Sequence, residues 1–144
     1  MLCLRITAVV RGAFKSKIMS NLQLSLKKEW FKMTKSGTKT EDYREITPYW
    51  CARLIDDIFK DYNSWKEILD DSGNDYFVSF LKNRLNNFKQ FDINTMTLGY
   101  PKTGDTERVL KLEHKGIEIK TGNPDWGAEP NKLYFVIMHG VSLN

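Results

Sequence analysis

Residues 22–50, LQLSLKKEWFKMTKSGTKTEDYREITPYW, carry the order of elements that decides the fold. Leu22, Leu24 and Leu26 alternate with polar residues, the period-two signature of a half-buried strand. Residues 27–36 then read as a short helix, with Trp30 and Met33 following Leu26 at i+4 and i+7 on one face. Gly37 stands where a left-handed C-terminal cap is expected. A second strand is expected over residues 40–46, with Thr40, Asp42 and Arg44 on one face and Glu41, Tyr43 and Glu45 on the other. Thr47 and Pro48 then form a helix start, Thr as N-cap and Pro at the first helical position. That helix is expected to run through Trp50, Leu54, Ile55 and Ile58.

Outward from this stretch the pattern changes twice. Residues 60–90 are polar-helical, with an apolar stripe of Phe77, Leu81, Leu85 and Phe88 between Lys82, Arg84 and Lys89. They read as a helical insertion that docks on the rest of the domain or on a protein partner. Strands resume at 93–100, 108–114, 117–120 and 133–138, with a turn at 101–105 and room for a bulge at Gly116. Residues 123–131 (NPDWGAEPN) read as a turn-rich loop. Strand, helix, strand, helices and then several strands is an α+β order, and it suggests a small barrel of mixed or antiparallel strands with flanking helices.

The chain has 144 residues, about 41% hydrophobic and 28% charged, ordinary values for a globular protein. No apolar run approaches the roughly 18 residues that span a bilayer, so no membrane partner is expected. Cys3 and Cys51 are too few for a disulfide framework, which favours a reducing, cytoplasmic setting. The net charge of +4 is concentrated in residues 1–18, which hold Arg5, Arg11, Lys15 and Lys17 and no acid. The other 18 cations balance the 18 acids. Residues 1–18 lack the apolar core and cleavage pattern of a targeting peptide. They read as a non-native or disordered leader, with Met19 as the natural start and residues 19–144 as one domain. On that reading overall charge does not argue for nucleic acid.

Five charged side chains, Lys39, Glu41, Asp42, Arg44 and Glu45, fall within seven positions. Asp42 and Arg44, two apart on one strand face, stand about 7 Å apart and can hold one another. Lys39 brings a second cation, and burial next to Arg44 would lower its pKa toward that of a usable base. Asp42 would oppose that shift. Two readings stand: the wall of a site, or a structural ion pair pinning strand to helix. Trp126 can stack on a base and Glu129 can accept a hydrogen bond from an exocyclic amine; alternatively they plug one end of the barrel and face solvent. Tyr43 and Tyr49 read as packing residues. His114 and His139 are far apart in sequence, without a Cys or carboxylate at metal spacing, so neither a metal nor a cofactor is expected.

Residues 22–50, with Gly37, Lys39, Asp42 and Arg44 as a Gly-x-Lys followed by an acid and an Arg on a strand, resemble the ASCH family, a branch of the PUA-like barrels. Residues 121–138 (TGNPDWGAEPNKLYFVIM) also look like short ASCH proteins of bacteria and phages. The resemblance implies a PUA-like barrel with a cleft beside the Lys and Arg. It also implies RNA or a modified nucleoside as ligand, held by Lys39, Arg44, Trp126 and Glu129. Some members are small amidohydrolases that deacetylate acetylated cytidine, and others are linked to RNA cleavage. That implies catalytic roles for Lys39, Asp42 and Glu129. The deacetylating members place a Thr at the position of Asp42, and an Asp cannot supply its hydroxyl. Three functions are carried forward: a binder of RNA or a nucleoside, a hydrolase at the same pocket, and an interaction module docking through residues 60–90.

Overall fold

A computed structural model describes residues 19–56, 61–72, 79 and 88–144. The leader at 1–18, the expected helical residue Ile58, and Phe77, Leu81 and Leu85 of the apolar stripe lie outside the described residues. Five strands form one mixed sheet: β1 (Asn21–Leu26), β2 (Glu41–Arg44), β3 (Ile93–Leu98), β4 (Val109–Thr121) and β5 (Leu133–Ser142). Among the described residues there are three α-helices, α1 (Lys28–Lys35), α2 (Pro48–Leu54) and α3 (Tyr62–Ser72).

The spatial order is β1-β3-β4-β5-β2. β1 runs parallel to β3, and every other pairing is antiparallel. The sheet curls into a half-barrel, so the α+β class and the barrel-like curvature both stand. Parallel pairing of β1 and β3 requires a long crossover, which α1, β2, α2 and the segment after them supply. In the long strand β4 the register with β5 shifts between Leu112 and Gly116. Gly116 sits there at φ +126°, a conformation open to glycine. The bulge lets one strand pair with β3 through its first half and with β5 through its second.

Alternation along the strands sorts side chains to two faces. The inner face carries Leu22, Leu24, Met96, Leu112, Phe135 and Ile137, all buried. α1 adds Phe31, α2 adds Cys51 and Leu54, and α3 adds Trp65. Burial pushes the Cys51 thiol up to about 12, which leaves it inert. On the outer face of β5 a second, smaller cluster of Tyr134, Val136 and Ala128 lies under the loop that follows β4.

Two local expectations need correction. α1 buries Phe31 and Thr34, whereas Trp30 and Met33 are only half-buried. Trp30 covers the later loop instead: a Cβ on Gly127 would stand 2.9 Å from its Cζ2. α2 keeps its N-cap, with the Thr47 hydroxyl accepting from the Trp50 N–H, but it stops at Leu54. Ile55 turns extended (φ −93°, ψ 131°) and forms a bridge with Phe88. The Lys89 N–H donates to the Leu54 carbonyl (2.9 Å), satisfying one of the orphan acceptors of the helix end. Phe88 packs on the core edge-on to Phe135, so this member of the stripe is not free for a partner.

Candidate functional site

Lys39 reaches its position through the cap of α1. Gly37 adopts φ +83°, its N–H donates to the Thr34 carbonyl, and the Lys39 N–H donates to the Met33 carbonyl. The chain thereby reverses and turns the Lys39 side chain inward, where the residue is 3% exposed. Its Nζ donates to the Glu41 carbonyl and lies 3.4 Å from Asp42 Oδ1. The other Asp42 oxygen accepts from Arg44 Nε at 2.7 Å. The carboxylate is 5% exposed and thus sits between two cations. Burial holds the Lys39 amine below its ordinary pKa, with Arg44 adding to that effect and Asp42 opposing it.

Beside this trio lies a second set of polar groups that sequence reasoning missed. The antiparallel register sets His114 on β4 opposite His139 on β5. Asn94 on β3 joins them: its Oδ1 accepts from His114 Nδ1 at 2.7 Å, and its Nδ2 donates to His139 Nδ1 at 3.1 Å. That pairing assigns the proton of His139 to Nε2, which is buried and has no hydrogen-bond partner among the described residues. Burial pushes the His139 pKa down to about 4, so the ring is neutral at pH 7. Asp42 and Lys39 both act on it electrostatically, which ties the two sets together. The one signal in the sequence was parity. Asn94 shares a face with Met96, and His139 with Phe135 and Ile137, so both were bound for the interior.

The Trp126–Glu129 loop does not join them. Asn123 donates its N–H to the Tyr43 hydroxyl (2.9 Å), and Glu129 donates its N–H to the Tyr134 hydroxyl (3.0 Å). Tyr43 and Tyr134 stand on the outer face of β2 and β5, opposite Asp42 and Ile137. The Glu129 carboxylate is exposed and pairs with Lys132, which also holds Glu45. Trp126 is half-buried in a short 3-10 turn, Pro124–Trp126. The expected convergence of Lys39, Arg44 and Glu129 on one cleft is therefore replaced by a separation across the sheet. Strand alternation causes it, since the loop follows the parity of Tyr43 rather than that of Asp42.

Arg44 leaves the interior in the other direction. Its Nη2 donates to the Ser25 carbonyl at 2.9 Å, and Arg53 Nη2 donates to the Gln23 carbonyl at 2.7 Å. Both acceptors lie on edge strand β1, while Arg44 lies on the opposite edge strand β2. Arg44 thus ties β2 to β1 across the open side of the half-barrel, and Arg53 ties α2 to β1. Both lie over the Trp50 ring, at 4.9 and 5.2 Å from its centroid.

These three residues form one wall of a groove of about 960 Å³ on the outer face of β1, β3 and β4. Its floor is Gln23, Ser25, Thr95 and Thr97, and its far wall is the 99–106 turn. Arg44, Arg53, Lys102 and Lys111 line it, with Asp105 as the one acidic side chain among its described lining residues. Tyr49, 53% exposed and edge-on to Trp50, lines it too, which corrects its reading as a packing residue. Tyr100 on the opposite wall is 97% exposed.

The interior cluster offers an amine of lowered basicity, a carboxylate and a neutral imidazole. The groove offers cations and aromatic faces. Arg44 belongs to both. Among the described residues no three His, Cys, Asp or Glu side chains are placed to hold a metal ion, and no helix is long and apolar enough to cross a membrane. No family model, curated protein or solved structure matches the chain.

Proposed function

We propose that the protein is a binder of RNA or a modified nucleoside, of the PUA-like, ASCH kind, and that its ligand occupies the groove walled by Arg44, Trp50 and Arg53. The observation that carries this reading is the groove's lining. Arg53, Lys102 and Lys111, beside the Asp42-paired Arg44, outnumber Asp105 and give a field that attracts an anion, and three aromatic rings among them suit a stacked base. Water solvates these cations in the free protein, so a phosphate can displace it at little cost. The Gly37-Lys39-Asp42-Arg44 motif keeps a role here. Asp42 holds the Arg44 guanidinium, and Arg44 in turn positions Trp50 at the rim.

The test is fluorescence anisotropy with labelled RNA, together with calorimetry using nucleosides that include N-acetylated cytidine. Binding that weakens about tenfold in Lys102→Ala/Lys111→Ala, with a log–log salt slope smaller by about 1.5, supports the reading. Absence of affinity for every RNA and nucleoside, or an unchanged affinity in the double variant, overturns it.

A second reading, a hydrolase, is favoured by one observation: the buried Lys39 amine of lowered pKa beside the neutral His139. Lys39 would act as base, with Asp42 fixing its position. A depression of about 340 Å³ lined by Phe88, Phe91 and His114 touches the histidine pair at His114 alone. Turnover of an N-acylated nucleoside or cleavage of RNA that vanishes in Lys39→Met supports it. No turnover across such a panel removes it. Of the apolar stripe behind a docking role for residues 60–90, Phe88 alone is described, and it packs on the core.

A further inference from the structure

We propose that the groove takes a single strand of RNA rather than a free nucleoside, and that it selects adenine and cytosine, whose N6 and N4 amino groups stand where uracil carries its O4 carbonyl, over uracil. This rests on the reading above and adds both the form of the ligand and its base preference.

The floor decides the preference. Three hydroxyls lie on it, and each spends its only proton inside the protein. Thr95 Oγ1 donates to Asn21 Oδ1 at 2.6 Å, Thr97 Oγ1 to the Gly99 carbonyl at 3.1 Å, and Ser25 Oγ to the same carbonyl at 3.3 Å. A hydroxyl whose proton is committed offers a ligand only its lone pairs. The floor therefore accepts hydrogen bonds and donates few. An amino group pointing down finds acceptors, while a uracil carbonyl in the same place meets like dipoles and loses its water without compensation. The Gln23 side chain can present either end, so it accommodates a neighbouring ring nitrogen or carbonyl.

The walls decide the form. Tyr49 and Tyr100 stand on opposite walls, one on α2 and the other in the 99–106 turn, and both present open ring surface. Pro101 restricts the backbone of Tyr100 to extended conformations, and its ring is in water. Two separate platforms suit two successive bases. The cations lie on different elements: Arg53 on α2, Lys102 in the turn and Lys111 on β4. One nucleotide carries one phosphate, whereas a strand running along the groove presents a phosphate to each. A volume of about 960 Å³ is at the upper end of the roughly 300–1,000 Å³ that a single small ligand fills.

The experiment compares four labelled ligands by anisotropy at fixed salt: oligoadenylate, oligocytidylate and oligouridylate of eight nucleotides, and adenosine monophosphate. Adenylate and cytidylate strands should bind about tenfold tighter than uridylate, and the adenylate strand at least tenfold tighter than the mononucleotide. Tyr100→Ala should weaken the strand about tenfold and leave the mononucleotide within twofold. Thr97→Val keeps the volume but removes the acceptor, and should bring adenylate and uridylate strands within threefold of each other. A melting curve on each variant separates loss of binding from loss of fold. Equal affinity for adenylate and uridylate overturns the base preference. A mononucleotide as tight as the strand overturns the polymer. In both cases the groove remains a ligand site. If none of the four binds, the proposed function falls as well.

Discussion

The two faces of the sheet treat charge in opposite ways. Inside, Asp42 is bracketed by Lys39 and Arg44, and Asn94 satisfies both His114 and one nitrogen of His139. Outside, beyond that pair, Arg53, Lys102 and Lys111 share the groove with Asp105. An unpaired charge in the interior costs several kcal/mol, so the buried Lys39 and Asp42 are paired. Cations in the groove are solvated and can be left unmatched. The difference teaches where a ligand can act: matched interior charge specifies the fold, and unmatched charge at a concave surface is available for recognition.

The sharpest way to break this contrast is Asp42→Ala. It strands two cations, one of them fully buried, and should cost about 3–5 kcal/mol in urea denaturation. Adding Lys39→Met should recover a large part, because the stranded amine is gone. If the single variant loses less than about 1 kcal/mol, the interior pair is not structural and the contrast fails.

His139 supplies the next effect, through pH. Its folded pKa, about 4, lies below its ordinary 6.5, so below pH 6.5 the unfolded chain binds the proton and the folded one does not. Stability should therefore fall as pH drops from 6.5 toward 4 and level off below that, by roughly 3 kcal/mol in total. His139→Gln should flatten that part of the profile. A wild-type curve already flat between pH 4 and 6.5 would contradict the buried neutral ring.

A smaller effect is expected at the loop on the outer side. Gly127 adopts φ +98°, and a Cβ there meets Trp30 at 2.9 Å. Gly127→Ala should cost about 1–2 kcal/mol, read as a shift in the denaturation midpoint. It should leave groove binding unchanged, since this loop packs against Tyr43 and Tyr134 on β2 and β5 and none of its residues lines the groove.

Smallest of all are changes at exposed charges. Lys102→Ala/Lys111→Ala should leave stability within about 0.5 kcal/mol while binding weakens, and Glu129→Gln should change neither. A loss of activity in Glu129→Gln would return that carboxylate to the site and reverse the separation described here.

Much of the local structure was legible. The alternation of Leu22, Leu24 and Leu26, the cap at Gly37, the Thr47–Pro48 helix start and the Asp42–Arg44 pair all follow from spacing over a few residues. The end of α2 at Leu54 was not, because Ile55 leaves the helix to bridge Phe88, 33 positions away. Nor was the buried face of α1, since a short amphipathic helix offers neighbouring stripes and the sheet chose the one holding Phe31. Of the expected site residues, Lys39, Asp42 and Arg44 come together because they lie within six positions. Trp126 and Glu129 lie more than 80 positions away, and the parity of a different strand carries them to the other face.

Spacing within the chain thus sets the first strand, the cap of α1 with the charged motif that follows it, the start of α2, and which side chains of one strand share a face. These are short-range properties, set by backbone periodicity and capping. The register and strand order alone bring His114, Asn94 and His139 together near Lys39, join the two edge strands through Arg44 and tie α2 to β1 through Arg53 around Trp50. The tertiary structure alone formed a cationic, aromatic groove from four separate elements. Such juxtapositions depend on strand order and register across tens of residues, and no periodicity within a single segment encodes them.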